Sequence, residues 1–460
     1  MHGESAVAIA VPDTQLLQYL DRRLPRYTSY PTAVQFGPNV DCLAYEHWLG
    51  SLPAEEQVSL YLHVPFCAEL CLYCACHTTV ARRYGPIEAY VEILEREIAL
   101  VGRHLGVRCK AVHVHWGGGT PTMLMAADFE RIMLALRHIA AISADCEVAI
   151  EIDPRTLRRE LVPVMANAGV NRASLGVQDF DQSVQRAVGR IQSFEQTARA
   201  AEWLRDAGIT NINLDLMYGL PFQTTDGVSA TARKALALEP DRVALFGYAH
   251  VPWLKRHQHL LPEDALPDTV ERLAQARAAA EVLGNAGYRP IGLDHFAKAH
   301  DLLVIRQREK RLHRNFQGYT TDAASTLIGF GTSAIGMLPQ GYVQNATSTV
   351  AYREAIRSGA LATARGRELT AEDRLRRSII EHLMCDLAVD LAEITAAHSR
   401  SPGDLACELA RLAPFAAHGL LDISGATITV AEHARPFVRS ICAVFDAYLT
   451  TNTTQFSRAL

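Results

Sequence analysis

Six times between residues 59 and 250 a run of β-formers gives way to helical periodicity. The runs are SLYLHV (59–64), AVHVHW (111–116), EVAIEID (147–153), RASLGVQ (172–178), NINLDLMYG (211–219) and RVALFGYAH (242–250). Between them, stretches such as 87–105 and 128–141 space their apolar residues as helices do. This alternation predicts parallel strands joined by crossover helices, hence an α/β sheet or barrel. Parallel strands covered on both faces read as unbroken apolar runs. Here Leu60, Leu62 and Val64 alternate with Tyr61 and His63, and Val112 and Val114 with His113 and His115. Val148, Ile150 and Ile152 alternate with Glu151 and Asp153, Leu175 and Val177 with Ser174, Gly176 and Gln178, and Ile212, Leu214 and Leu216 with Asn213 and Asp215. With helices on the apolar face, the polar face must line a cavity. A closed or partly closed barrel around a polar cofactor fits this better than a flat sheet.

Polar groups also gather where each run ends: a cysteine loop after the first, Gly117 to Thr120 after the second, then Asp153, Gln178 with Asp179, Tyr218 and His250. Catalytic groups of such folds lie at the carboxyl edge of the strands. The boundaries expected are an N-terminal arm (1–55), the barrel (56–290), an extension carrying a substrate-site segment (291–365) and a C-terminal domain (366–460). In that last part, helices at 371–385 and 403–412 lead to a hairpin at 420–430 and a final helix near 434–448, an order resembling a small winged-helix domain.

The cysteine loop holds Cys67, Cys71, Cys74 and Cys76 in ten residues, with CxxxCxxC spacing. Three thiolates so close could grip three corners of a 4Fe-4S cube and leave the fourth iron open. A zinc site would more often use two separated ligand pairs, and here His63 and His77 would have to complete it. A closed cluster would need Cys76 as fourth ligand, although it is separated from Cys74 by Ala75 alone. A chance pattern is the remaining alternative. Residues 1–15 lack a basic leader region, and no apolar run reaches membrane-spanning length, so the expected location is the cytoplasm. There, Cys42, Cys109, Cys146, Cys385, Cys407 and Cys442 read as scattered thiols. The net charge of −5 argues against nucleic acid as partner.

The loop after the first strand resembles the signature of the radical S-adenosylmethionine (SAM) superfamily. PRYTSYPTA (25–33), YLHVPFCxxxCxxCxC, HWGGGTPT (115–122), IEIDPR (150–155), SLGVQDF (174–180), NLDLMYGLP (213–221), YAH (248–250), HRNFQGYTT (313–321) and QFSR (455–458) together resemble the oxygen-independent coproporphyrinogen III oxidase family, over nearly the whole chain. The resemblance implies a partial (β/α)6 TIM-like barrel with an N-terminal arm and a mainly helical C-terminal domain. It implies a 4Fe-4S cluster on Cys67, Cys71 and Cys74, with Tyr61 completing the catalytic set. Contacts to the SAM on the open iron would come from Tyr61, Gly118, Glu151 and Ile335. A second SAM would meet Tyr73, Gly119, Thr120, Gln178, Arg190, Asp215 and Ala249. Ala75 and His77 stand where the family commonly has glycine and asparagine.

The implied reaction is anaerobic oxidative decarboxylation of two propionates of coproporphyrinogen III to vinyl groups, giving protoporphyrinogen IX in haem biosynthesis. The implied partners are that substrate and a one-electron donor such as flavodoxin or ferredoxin, with the chain acting as a monomer. Arg22, Arg23, Arg26, Arg311, His313 and Arg314 are candidates to hold the propionates, since guanidinium binds carboxylate bidentately; a solvated helix face is the alternative for 305–311. Two other functions compete. A related haem-binding chaperone commonly has phenylalanine at the position of Cys76 and lacks the PRYTSYP arm, and a radical SAM methyltransferase would transfer methyl groups instead.

Overall fold

The computed structural model describes residues 14–54, 56–449 and 456–460. Most of the leader reading over 1–15, and Gln455 of QFSR, lie outside them. The centre is a twelve-stranded sheet. In chain order its strands are β1 (Gln57–Val64), β2 (Cys109–Gly118), β3 (Ala140–Ile152), β4 (Arg172–Gln178), β5 (Asn211–Tyr218), β6 (Arg242–Gly247), β7 (Arg289–Ile291), β8 (His295–Ala297), β9 (Thr326–Phe330), β10 (Ile335–Leu338), β11 (Gly341–Asn345) and β12 (Thr363–Glu368). The spatial order is β12-β11-β10-β9-β1-β2-β3-β4-β5-β6-β8-β7, so the sheet is open, and its two edges are antiparallel ribbons. All six expected strands are present and parallel. A seventh parallel strand, β9, lies beside β1 in the register Tyr61↔Gly329.

Helices cover the apolar face. Helix α1 (Gly85–Leu105) starts with Pro86 in its first turn and stops at Gly106, whose φ of 66° reverses the chain. It buries Ile87, Tyr90, Val91, Leu94, Ile98, Val101 and Leu105, one stripe at helical spacing. Each large side chain so buried contributes about 1.5–3 kcal/mol. Helices α2 (Thr269–Asn285) and α3 (Ala371–Asp386) open on capping boxes, Asp268 with Glu271 and Thr370 with Asp373.

The polar face divides into two halves. Near the amino ends of the strands its own ion pairs fill it: Glu147 meets Arg172 at 3.0 Å and His113 at 3.3 Å, and Arg242 meets Asp301 at 2.8 Å. Burial opposes ionisation of Glu147, yet Arg172 and His113 hold its carboxyl well below the usual range. Space opens toward the carboxyl ends. Bulges adjust the pleat at Val112, which is half-buried, and at Val177, so that Gln178 pairs with Leu216.

The arm packs against the C-terminal part. Tyr27 donates its hydroxyl to Asp446 at 3.1 Å, and Arg439 donates to Pro25 O at 2.9 Å. The C-terminal part carries α3, two short helices (Leu391–Ala397 and Ala406–Ala417) and a three-stranded sheet that includes the hairpin Leu421–Ser424/Thr427–Val430. The expected final helix over 434–448 is shorter. A 3-10 turn, Glu432–Phe437, contains Pro436, which cannot donate an N–H, and the α-helix proper is Val438–Cys442.

Candidate active site

The cysteine loop follows β1 at the carboxyl rim. Its ends are tied by parallel pairing of Phe66 with Thr79 and Cys67 with Val80. Its backbone is held by side chains distant in sequence: Gln258 donates to Tyr73 O at 2.9 Å, Lys255 to Cys76 O at 2.7 Å, and His257 Nε2 lies 2.7 Å from Cys74 O. His63 Nε2 meets His77 O at 2.9 Å, so that nitrogen carries the proton. Nδ1 then accepts from the Tyr61 hydroxyl at 3.1 Å.

Cys67, Cys71 and Cys74 border a cavity of about 250 Å3, together with Tyr73, Gly118, Gly119, Thr120, Glu151, Gln178, Arg190 and Asp215. Eleven of the expected site residues thus share one cavity. Tyr61, Ala249 and Ile335 are not among its lining. Tyr61 lies behind Gly117, where an added Cβ would stand 3.0 Å from its ring. Ala249 accepts from Gln258 at 3.2 Å, the residue that also holds Tyr73. Ile335 puts its carbonyl against Gly329, the β-partner of Tyr61.

Among the described residues, no three His, Cys, Asp or Glu side chains converge on a single-ion centre. The loop thiols instead face shared space, with donors behind them. Cys71 Sγ accepts from Arg155 Nη2 and Arg190 Nη1, both at 3.6 Å, and Cys67 Sγ from the Thr120 hydroxyl at 3.6 Å. Cations beside a thiol favour thiolate, the form that binds metal. Asp153 holds both guanidiniums, Arg155 at 2.7 Å and Arg190 at 3.2 Å. Burial opposes its charge, but the pair keeps its carboxyl below the usual range. Burial pushes the Cys67 thiol up to about 11, whereas a hydrogen bond with Cys76 brings Cys74 down to about 6; coordination would deprotonate either outright. Three thiols with this support fit an iron-sulfur cluster with an open position.

The second wall fits a polar organic ligand. A Cβ on Gly119 would come within 2.7 Å of Phe66 O and 3.0 Å of Cys67 Sγ, and Gly118 has φ +114°. Glu151 accepts from the Gly118 N–H at 3.2 Å and meets His115 Nε2 at 3.3 Å. Gln178 holds φ 69° at the end of β4, the strained backbone common at functional sites. Burial raises the Asp215 carboxyl to about 6, although Ser174 and Asn213 donate to it at 2.9 and 2.8 Å.

The candidate cations separate. Arg22 and Arg311 are exposed, Arg311 lying 3.7 Å from Glu309. Arg23 lies over the Trp253 ring at 4.4 Å, and Arg26 donates to Gly247 O at 2.8 Å. His313 pairs with Glu381 at 3.0 Å. His313 and Arg314 line a second cavity of about 220 Å3 between the arm and α3, and Arg377, which the sequence reading missed, lines it with them.

A cysteine loop at the carboxyl rim of a partial parallel barrel defines a radical SAM protein. Residues 61–235 match the radical SAM superfamily, which implies a 4Fe-4S cluster and SAM, and residues 369–437 match the HemN C-terminal domain. The oxygen-independent coproporphyrinogen III oxidase of Bradyrhizobium diazoefficiens is 50% identical over 444 residues, 96% of this chain and 99% of that protein. That of Paracoccus denitrificans is 42% identical over 435 residues, 94% and 96% of the two chains. The Escherichia coli coproporphyrinogen III oxidase structure, HemN, superposes with a TM-score of 0.88 at 37% identity, covering 93% of this chain and 100% of that one. The chain belongs to the oxygen-independent coproporphyrinogen III oxidase family.

Proposed function

We propose that this protein is a radical SAM oxidoreductase that converts coproporphyrinogen III to protoporphyrinogen IX without oxygen. The reading is carried by relatives of that name aligned end to end with this chain. Cys67, Cys71 and Cys74 hold the cluster, and Tyr61, Gly118, Glu151 and Ile335 hold the SAM bound to it. When bound, cluster and SAM supply a 5′-deoxyadenosyl radical that takes a hydrogen atom from the β-carbon of a propionate. The substrate radical would then lose carbon dioxide and pass one electron to an external one-electron acceptor, leaving a vinyl group, once on each of two rings.

The chain's own residues orient and shield. Glu151, fixed by the Gly118 N–H, presents acceptor oxygens to ribose hydroxyls. Glycine at 117–119 lets backbone approach the methionine part. Lys255, His257 and Gln258 pin the loop from behind.

Tyr73, Gly119, Thr120, Gln178, Arg190, Asp215 and Ala249 take a second SAM. A flavodoxin or ferredoxin supplies the electron, and the enzyme works as a cytoplasmic monomer; no helix among the described residues is long and apolar enough to cross a membrane. The test is anaerobic incubation with reductant, SAM and coproporphyrinogen III. The expected products are 5′-deoxyadenosine, carbon dioxide and protoporphyrinogen IX; an intact cluster with no vinyl product would overturn the reading.

A further inference from the structure

Arg314 is a buried cation whose hydrogen-bonding capacity is left open. It sits on a short hairpin strand, His313–Asn315, and its side chain is 6% exposed. The guanidinium lies 4.3 Å over the Tyr319 ring, and its Nη1 is 3.9 Å from Asp294, too far for a hydrogen bond. Among the described residues, Nε and Nη1 have no hydrogen-bond partner. Buried donors left so are costly, and those on a charged group more so.

The local charge is unbalanced. Arg26, Arg439 and Arg458 share with Arg314 a small cavity of about 30 Å3 whose lining holds one acidic side chain, Asp294, and the last residue, Leu460. Asp294 is already engaged by His295 at 2.8 Å. Arg26 and Arg439 are bonded to backbone carbonyls, Gly247 O for the first and Pro25 O and Ala459 O among those of the second. Among the described residues Arg314 has no such carbonyl. It forms the wall between this small cavity and the second cavity of about 220 Å3.

In that larger cavity the acids are also taken, Glu381 by His313 and Asp322 by Ser59. Two guanidiniums, an amide and aromatic rings also line the space, Arg314, Arg377, Asn315, Tyr27 and Phe316; of the two guanidiniums Arg377 is already engaged by Tyr342 and Glu381. The volume falls below the range of about 300–1,000 Å3 usual for a whole ligand, so the space suits one arm of a larger molecule. A stack of side chains, Arg314 on Tyr319 and Tyr319 against His295, leads from it toward Asp215 of the cofactor cavity. His295 packs edge-on to Tyr319 at 5.2 Å and lies within electrostatic reach of Asp215.

We infer that this cavity receives one pyrrole arm of the substrate, and that its carboxylate is bound by Arg314 while another propionate faces the cofactor cavity. The inference rests on the proposed function and adds to it the group that grips a non-reacting carboxylate. A carboxylate forked on the Nε/Nη2 or the Nη1/Nη2 edge neutralises part of the excess charge and satisfies one of the open donors.

The test compares wild type with Arg314→Gln and Arg314→Lys under anaerobic turnover, alongside fluorescence titration with coproporphyrin III and its tetramethyl ester. Arg314→Gln should raise KM for coproporphyrinogen III about tenfold to a hundredfold, the range for a lost charge-assisted bond. Its kcat, iron content and SAM affinity should stay near wild type. Arg314→Lys, which keeps the charge and loses the fork, should raise KM less. Wild type should bind the free acid better than the ester, and Arg314→Gln should lose that preference. An unchanged KM and acid preference in Arg314→Gln overturns the inference, as does a loss of SAM affinity and iron equal to the rise in KM. If Arg314→Gln does not fold, Arg314→Lys with wild-type KM overturns it. If wild type converts no coproporphyrinogen III, the reaction assignment falls, and the acid-versus-ester titration decides the role of Arg314 alone.

Discussion

Arg190 reaches across the barrel rim to Cys71: its Nη1 lies 3.6 Å from the sulfur while its Nη2 donates to Gly176 O at 2.7 Å. One side chain thus ties a proposed cluster ligand to β4. Groups that orient a metal ligand typically cost ten- to a hundredfold in affinity when removed. Arg190→Gln should therefore lose iron to a chelator at least ten times faster than wild type, as followed by cluster absorbance. Asp153 keeps Arg155 as its partner at 2.7 Å, so the fold should survive. Equal rates would mean that the guanidinium does not support the ligand.

Gly119 and Gly284 make a controlled pair. A Cβ at 119 meets a backbone oxygen at 2.7 Å and Cys67 Sγ at 3.0 Å, whereas one at 284 meets nothing within 4 Å. Gly119→Ala should cost about 1–3 kcal/mol from overpacking and should lower cluster occupancy by displacing Cys67. Gly284→Ala, at an exposed position in the last turn of α2, should instead raise stability by about 0.4–1 kcal/mol. Urea midpoints and iron content read both, and a full iron complement in Gly119→Ala would show that the loop can give way.

The period-two pattern made β1 to β6 legible because each strand has one face against helices and one toward polar space. The seventh parallel strand, β9, escaped because all five of its residues are buried and its sequence, TLIGF, has no alternation to read. The loop thiols were legible from their spacing, and Glu151 from its place on the polar side of a strand that alternates with Val148, Ile150 and Ile152. Lys255, His257 and Gln258 were not: they reach the cysteine loop over about 180 positions, and no local signal marks such a contact. Arg314 was legible as a candidate, but what separates it from Arg311 three residues earlier is burial, which only packing decides.

Cys71 and Cys76 should differ sharply when altered. Cys71 is buried with two guanidiniums on its sulfur, and Cys76 is exposed. Cys71→Ser should lose most of the iron absorbance. Cys76→Ser should keep it, since a serine hydroxyl can still donate toward Cys74. Iron loss of equal size in both variants would return Cys76 to the ligand set.

Glu97 gives the fold a pH dependence of its own. It lies inside α1 and accepts from the Gly331 N–H at 2.6 Å, Asn345 Nδ2 at 2.6 Å and the Tyr352 hydroxyl at 2.7 Å. It thereby holds the turn that leads into β10 and Ile335. Burial outweighs these donors and lifts the carboxyl from 4.5 to about 7. Between those values the native state keeps a proton that the unfolded chain has released, so stability falls as pH rises through the window. Above it, both states are ionised and the full cost remains. The rise of roughly 2.5 units corresponds to about 3 kcal/mol at most. Urea midpoints of wild type should therefore decline from about pH 5 to 8. Glu97→Gln, which has no charge to bury, should show a flatter curve over the same range. If the wild-type curve is flat and matches the variant's, the three donors already compensate the buried charge, and Glu97 is ionised throughout.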